Sequence, residues 1–167
     1  PYYSFGNGSA MRVSPIGLYF DNEFGDVMNE AEKSAQITHD HPEGIKGAQV
    51  TALCIWMVRK GYNKADMEAF IKSEYGAIPN FVPFSNPFDE TCMNAVPVSV
   101  SCVLNSTSFE EAIRNAMMIG GDSDTIGAIT GGIAEAMYGI PEYMEDIALS
   151  YLTDEMKNVV TKFYNKL

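Results

Sequence analysis

The residues best suited to chemistry lie in one short segment, residues 120–125, with the sequence Gly-Gly-Asp-Ser-Asp-Thr. Asp122 and Asp124 are two residues apart and Thr125 follows, so two carboxylates and a hydroxyl can converge where the chain turns into a helix. Hard divalent cations such as Mg²⁺ and Mn²⁺ prefer oxygen ligands of this kind. The segment therefore predicts a metal site. The alternative is an ordinary helix N-cap, for which Asp and Ser are common.

The helix expected after this segment, from about residue 124 to residue 138, favours the metal site. Each glycine in a helix interior costs about 0.5–1 kcal/mol relative to alanine, and this helix has three, Gly127, Gly131 and Gly132. They indicate a central helix that its neighbours approach closely, which would partly bury the acidic turn at its start. Buried carboxylates need partners, and a cation is one. A helix–loop–helix calcium site does not fit, because isoleucine occupies its fifth and twelfth positions.

A second segment, residues 6–11, has the composition of an anion-binding loop. Gly6 and Gly8 would expose backbone N–H groups, and Asn7 and Ser9 add short hydrogen-bonding side chains. The alternative is a plain turn, because Asn-Gly is a common turn pair. Arg12 follows directly and could pair with a phosphate or form an intramolecular salt bridge.

Composition narrows the function classes. The chain has 167 residues, enough for a single domain over residues 1–167, and a formal net charge of −11. This charge argues against nucleic-acid binding, and no stretch is long and apolar enough for a membrane span. Three widely spaced cysteines, Cys54, Cys92 and Cys102, favour a reducing cytoplasm over a disulfide scaffold.

Hydrophobic periodicity and capping residues predict an all-α chain. One stretch is ambiguous: apolar residues alternate over residues 96–102, which by pattern alone indicates a strand, although no partner strand is evident. Ser108 and Glu111 form a capping-box signature, and Trp56, Met117 and Met118 are expected in the core. The predicted helices cover about residues 23–36, 42–60, 63–75, 108–119, 124–138, 142–152 and 154–164, with an irregular crossing over 77–92.

These motifs resemble those of a known family. Residues 120–127, with the small-residue helix after them, are closely similar to the C-terminal signature of the ADP-ribosylglycohydrolases. Residues 5–15 resemble the substrate loop of that family, and residues 38–42 (Thr-His-Asp-His-Pro) resemble a third motif in the same order. The chain is therefore identified by resemblance as the C-terminal part of a metal-dependent ADP-ribosylglycohydrolase.

The resemblance implies a compact orthogonal helical bundle around a dinuclear Mg²⁺ or Mn²⁺ site. Asp122, Asp124 and Thr125 would be metal ligands, and the two aspartates would be catalytic, orienting a water that attacks the anomeric carbon of the distal ribose. The expected substrates are ADP-ribosylated proteins or small molecules that contain ADP-ribose. The substrate-binding residues would be Gly6, Asn7, Gly8, Ser9, Met11 and His39.

The histidine segment has two further interpretations. His39 and His41 are the only histidines in the chain, and a His-x-His pair can bind zinc. The resemblance instead places the segment near the ligand pocket and gives it no role in metal binding. The remaining interpretation is a capped helix junction with one solvated histidine.

One family motif has no counterpart here. Family members carry a Thr-Asp-Asp-Thr or Thr-Asp-Asp-Ser run near the N-terminus, and these 167 residues contain no Asp-Asp pair. The bundle is therefore expected to be truncated at its N-terminus, as a fragment, a truncated gene product, or a chain completed by another. Missing helices would expose apolar surface and favour a homo-oligomer. The alternative functions are a catalytically inactive ADP-ribose-binding or crystallin-like structural protein and an acidic helical interaction domain.

Overall fold

Ten α-helices account for most of the chain in the computed structural model, which describes residues 1–21 and 23–167. No strand is assigned in these ranges, so the predicted all-α class is confirmed. The helices are α1 (Gly8–Met11), α2 (Ser14–Tyr19), α3 (Phe24–Gln36), α4 (Pro42–Arg59), α5 (Lys64–Tyr75), α6 (Cys92–Leu104), α7 (Phe109–Met118), α8 (Ser123–Tyr138), α9 (Glu142–Ser150) and α10 (Asp154–Tyr164).

Several helix starts follow the capping signals in the sequence. Pro42 is the first residue of α4, and Asn63 forms a reciprocal capping box with Asp66 at the start of α5. The box predicted at Ser108 forms only in half. The Ser108 side chain accepts from the N–H of Glu111, but the Glu111 carboxylate accepts from Thr107, one residue before the cap. The sequence pattern does not predict the helices α1 and α2.

The strand-like alternation over residues 96–102 was misleading, because these residues belong to α6. This helix is buried on all sides, so it has no polar face that could show a helical period. Ser99 is fully buried, and its hydroxyl donates to the carbonyl of Ala95 one turn earlier at 2.7 Å. Small hydroxyl residues satisfied in this way can occupy a core. Pro97 also lies inside the helix.

The core lies where α4, α6 and α8 pack together, with α2 and α3 against α4 and α7 against α8. Close approach requires small residues. A Cβ at Gly132 would overlap Ser14 Oγ and lie 2.8 Å from Ser14 Cβ, and one at Gly17 would lie 2.6 Å from the carbonyl oxygen of Ala52. Fully buried Ile129 and Ile133 place α8 at the centre of the bundle, as its glycines predict.

The C-terminal helices pack differently from the rest. Neither α9 nor α10 has a buried residue. A groove of about 500 Å³ lies between α7 and α9 and is lined mainly by apolar side chains. Met117 and Met118 line it and are 48% and 41% exposed, so their predicted place in the core is wrong. Trp56 is half-buried against the cluster formed by α3 and α4.

No helix among residues 1–21 and 23–167 combines the length and the apolar character that crossing a bilayer needs.

Candidate active site at the start of the central helix

A tight turn sets the start of α8. Gly120 and Gly121 have φ values of +92° and +78°, in the left-handed region that favours glycine. The loop of residues 84–87 lies directly against this turn: a Cβ at Gly121 would overlap Asn86 Nδ2 and lie 2.8 Å from the carbonyl oxygen of Pro87. The N–H of Asn86 donates to the carbonyl of Ile119 at 3.0 Å. The two glycines therefore bring the acidic segment close against another part of the chain.

Asp122 does not behave as an ordinary N-cap. It occupies the N-cap position of α8, but its side chain accepts no capping hydrogen bond. Asp122 Oδ2 instead accepts from Asn7 Nδ2 at 2.6 Å, across 115 residues of sequence. Asn7 is 7% exposed, and Asp122 is half-buried. The acidic turn and the glycine-rich loop are far apart in the sequence, and this hydrogen bond joins them in one site.

Asp124 and Thr125 complete the acidic turn. Asp124 is exposed, and Thr125 is 6% exposed. The pKa of Asp124 is lowered, first by a side-chain hydrogen bond with Asp122 and then by the N–H groups of Thr125 and of Asp124 itself. The Thr125 hydroxyl donates to Met11 Sδ at 3.6 Å. The two carboxylates therefore contact each other, and the Thr125 hydroxyl contacts Met11 of the loop.

Hydrogen bonds join the loop to α4 and to the start of α6 with the residues just before it. The N–H of Asn7 donates to the carbonyl of Glu90 at 2.7 Å, and the N–H of Cys92 donates to the carbonyl of Phe5 at 3.0 Å. The Ser9 hydroxyl is fully buried and donates to the carbonyl of Gly44 at 2.7 Å. The side chain of Ser9 thus fixes the loop to α4 and does not point to Asp122.

Cys92 lies beneath the same loop. Its thiol donates to the carbonyl of Gly6 at 3.2 Å, and a Cβ at Gly47 would overlap its sulfur. Burial raises the pKa of Cys92, which keeps it a thiol at neutral pH.

His39 flanks the loop from the end of α3. A Cβ at Gly8 would lie 3.0 Å from His39 Nε2, so glycine is needed for the ring to approach this closely. Its pKa is lowered, first by burial and then by the positive charge of Arg12. Arg12 donates to the carbonyl of Ser34 and to the hydroxyl of Thr38, both at 2.8 Å. The salt bridge considered for Arg12 has no acidic partner among the residues described.

His41 has a structural role. Its Nδ1 accepts from the N–H of Glu43 at 3.1 Å and caps α4, so the capped-junction interpretation is confirmed for this residue. Its ring packs edge-on against Tyr3 and Phe5. The zinc interpretation gains no support, because no group of three or more His, Cys, Asp or Glu able to hold a metal occurs within the described ranges.

The structure thus brings together Asn7, Met11, Asp122, Asp124 and Thr125, with Gly6, Gly8 and His39 on the adjoining side of the loop. Sequence reasoning missed the packing of Asn86 against the diglycine turn and the contact of Arg12 with Thr38. Both are contacts between segments distant in sequence, so no local motif could have indicated them.

Comparison with known proteins gives the same family over nearly the whole chain. A sequence model of the ADP-ribosylglycohydrolase family matches residues 2–166. A solved structure described as an ADP-ribosylglycohydrolase-related protein complex superposes with a TM-score of 0.77 at 25% identity, over 99% of this chain and 62% of that one.

The individual relatives are longer than this chain. An uncharacterized protein of Archaeoglobus fulgidus is 28% identical over 94% of this chain and 57% of its own length. Human ADP-ribosylhydrolase ARH3 is 25% identical over 85% of this chain and 52% of its own length. The ADP-ribosyl-[dinitrogen reductase] glycohydrolase of Rhodospirillum rubrum is 25% identical over 82% and 47%. The chain therefore spans about half the length of these relatives.

Proposed function

Because the chain belongs to the ADP-ribosylglycohydrolase family, we propose that it hydrolyses the glycosidic bond between ADP-ribose and a protein side chain or small acceptor. The observation that carries this proposal is the 2.6 Å hydrogen bond from Asn7 Nδ2 to Asp122 Oδ2. It joins the loop proposed for substrate binding to the acidic turn proposed for catalysis. A short, part-buried side-chain contact between two motifs 115 residues apart is not expected if each is only a turn or a cap.

The acidic turn fits a hard divalent cation, Mg²⁺ or Mn²⁺. Asp122 and Asp124 contact each other through their side chains, and carboxylates held this close favour a shared positive charge. With the hydroxyl of Thr125 they form an all-oxygen donor set of the kind these ions prefer. The bound metal would supply Lewis-acid stabilisation of developing negative charge and orient a water.

The protein groups have separate proposed roles around the substrate. Asp122 and Asp124 would hold the metal and help to orient the water beside the distal ribose, where an oxocarbenium-like state develops during glycoside cleavage. Asn7 holds Asp122 in place through its amide. The loop of residues 6–11 and His39 would contact the diphosphate and ribose, with Gly6 and Gly8 allowing a close approach of the backbone. Ser9 contributes by fixing this loop to α4.

A second candidate function is a catalytically inactive ADP-ribose-binding or structural protein related to the family crystallins. It is favoured by the limited donor set: within residues 1–21 and 23–167, no third His, Cys, Asp or Glu joins Asp122 and Asp124. A dinuclear centre would need ligands from elsewhere. The loop and His39 could still bind ADP-ribose without them.

The partners and location follow from the same proposal. We propose that residues 1–167 act as one domain on ADP-ribosylated proteins or on small molecules that contain ADP-ribose, in the cytoplasm. The net charge of −11 opposes nucleic-acid binding. Self-association through exposed apolar helices is also proposed.

The test combines hydrolysis with metal binding. Incubation of an ADP-ribosylated protein with the chain and Mg²⁺ should release ADP-ribose, and Asp122→Asn with Asp124→Asn should abolish release and weaken Mn²⁺ binding in calorimetry. Asp146→Asn on α9, an exposed aspartate, is the matched control and should behave as wild type. No release with retained ADP-ribose binding would favour the inactive protein. Equal Mn²⁺ binding by wild type and the double variant would refute the metal site.

A further inference from the structure

We propose that Arg12 and Thr38 position His39 as a neutral ring with its proton on Nε2, so that the ring offers this N–H as a donor beside the Gly6–Gly8 loop. This inference rests on the proposed function for its ligand. The ring orientation and the position of the proton rest only on contacts within the chain.

A continuous set of hydrogen bonds carries the inference. Arg12 Nη2 donates to Thr38 Oγ1 at 2.8 Å, and Thr38 Oγ1 lies 2.6 Å from His39 Nδ1. The same Arg12 nitrogen donates to the carbonyl of Ser34 at 2.8 Å, which fixes the guanidinium against the end of α3. Arg12 therefore touches His39 only through the hydroxyl of Thr38.

The direction of these bonds sets the tautomer. A guanidinium has donors only, so the hydroxyl of Thr38 must accept from Arg12. A hydroxyl that accepts from a cation becomes a stronger donor, because hydrogen bonds in a chain polarise one another. The Thr38 proton then goes to His39 Nδ1, which must be unprotonated to accept it. In a neutral imidazole the proton is then on Nε2.

Protonation of both nitrogens is disfavoured in this setting. A doubly protonated ring would donate from Nδ1 to the Thr38 oxygen that already accepts from Arg12, which would place two positive charges around one hydroxyl. Burial of the ring and the charge of Arg12 both lower the pKa of His39. His39 therefore carries one donor, Nε2–H, and that nitrogen cannot act as a metal ligand while it holds the proton.

The Nε2–H group faces the loop. A Cβ at Gly8 would lie 3.0 Å from Nε2 and a Cβ at Gly6 would lie 3.6 Å from it, so the nitrogen lies against the two glycines. In the described part of the chain, its neighbour Nδ1 has a partner while no hydrogen bond is found for Nε2. A half-buried donor beside two glycines suits a ligand oxygen. The diphosphate of ADP-ribose provides such acceptors.

The position of the proton can be measured without any ligand. The chain has two histidines, so the ¹⁵N spectrum of labelled protein contains the ring-nitrogen signals of two imidazoles. His41 is an internal reference, because its Nδ1 accepts from the N–H of Glu43 and must be unprotonated. At neutral pH, both rings of the wild type should show an unprotonated Nδ1 and a protonated Nε2. In Thr38→Val, the His39 shifts should move towards the average of two tautomers while those of His41 stay fixed.

Two further variants separate positioning from general damage. Thr38→Ser keeps the hydroxyl and should restore the wild-type spectrum, and Arg12→Met should shift His39 in the same direction as Thr38→Val. Gln36→Ala, an exposed change on the same helix end, is the control. A protonated Nδ1 in the wild-type His39, or an unchanged His39 spectrum in Thr38→Val, would overturn the positioning role.

ADP-ribose binding tests the ligand. Affinity falls by the fraction of molecules in the competent state, so equal tautomer populations in Thr38→Val should weaken binding about twofold. His39→Phe removes the donor and should weaken it about tenfold or more, because hydrogen bonds to charged groups are the stronger ones. Equal affinity of His39→Phe and wild type would overturn the ligand contact. If the wild type binds no ADP-ribose, the proposed function fails with the ligand contact, and the spectra still decide the role of Thr38.

Discussion

At the scale of single residues, Asn7 determines where the acidic turn lies. It is 7% exposed and joined to two distant segments: its backbone N–H donates to the carbonyl of Glu90, and its amide donates to Asp122. Groups that hold a metal ligand by hydrogen bonds tune the affinity of the site. Asn7 is thus expected to influence metal affinity at the proposed site without being a ligand itself.

Replacement of Asn7 tests this role. Asn7→Ala removes the donor to Asp122 and should weaken Mn²⁺ binding about tenfold, in the range known for residues behind metal ligands. Asn158→Ala, an exposed change on α10, is the control for loss of an amide. Calorimetry with Mn²⁺ measures both. Unchanged affinity in Asn7→Ala would mean that Asp122 keeps its position without the amide.

Gly121 and Gly76 form a matched pair for the diglycine turn. Their φ values are +78° and +77°, so alanine at either position should cost about 1–2 kcal/mol in backbone strain. Space around Gly76 is open, whereas a Cβ at Gly121 would overlap Asn86 Nδ2. Gly121→Ala should therefore lose roughly 2–5 kcal/mol in total, against about 1–2 for Gly76→Ala. Urea unfolding gives both values. Equal losses of unfolding free energy would mean that the loop of residues 84–87 moves aside at little cost.

At the scale of elements, α8 is the helix that positions the site, and its glycines act differently although two of them are adjacent. Gly132 faces α2, where a Cβ would overlap Ser14 Oγ, while a Cβ at Gly131 would lie 3.4 Å from Ile113 Cδ1. The first position has no room for a methyl group, and the second has an ordinary contact distance. The packing of α2 against α8 depends on the first.

Alanine substitution separates these two positions. Gly132→Ala should destabilise the protein by about 1–3 kcal/mol, because overpacking outweighs the gain in helix propensity. Gly131→Ala should stabilise it by up to about 1 kcal/mol, because propensity alone changes. The difference in unfolding free energy between the two variants is the measurement. Stabilisation by both would mean that α2 moves away from α8 at little cost.

Local signals predicted some elements and not others. Asn63, Pro42 and Ser108 mark helix starts by their own chemistry, so α4, α5 and α7 could be placed from the sequence. The helix α6 could not, because its burial on all sides removes the polar face that periodicity detects. The short helices before α3 follow no apolar period and depend on their packing against α4.

Part of the candidate site could likewise be predicted from the sequence, and part could not. Asp122, Asp124 and Thr125 are neighbours at the start of α8, which the sequence indicates directly. The contacts of Asn7 with Asp122 and of Arg12 with Thr38 depend on the whole bundle. A motif can therefore suggest which residues take part, whereas their contacts require the fold.

At the scale of the whole molecule, the C-terminal helices expose several large apolar side chains. No residue of α9 or α10 is buried. Large apolar side chains remain in contact with solvent: Tyr143 is 54%, Ile147 is 56% and Val159 is 63% exposed. Exposed apolar side chains favour association, while the net charge of −11 opposes it.

We expect self-association that increases with protein concentration and with salt, since salt screens the repulsion between acidic chains. Ile147→Lys with Val159→Lys should reduce it. Ile37→Lys, at an exposed apolar residue after α3, should leave it unchanged. Light scattering gives the mass in each case, and a constant monomer mass over all concentrations and salt levels would contradict the expectation.

The position of Cys92 gives the loop a built-in chemical reporter. All three thiols are buried, and that of Cys92 lies directly below the Gly6 carbonyl. A neutral alkylating reagent can reach it only when the loop lifts away from α6, so the labelling rate of Cys92 in the native protein measures this opening. Added ADP-ribose should slow the labelling of Cys92 while leaving that of Cys102, which packs near α7, unaffected. Mass spectrometry of the labelled peptides would thus give the rate of loop opening, which an equilibrium binding measurement does not provide.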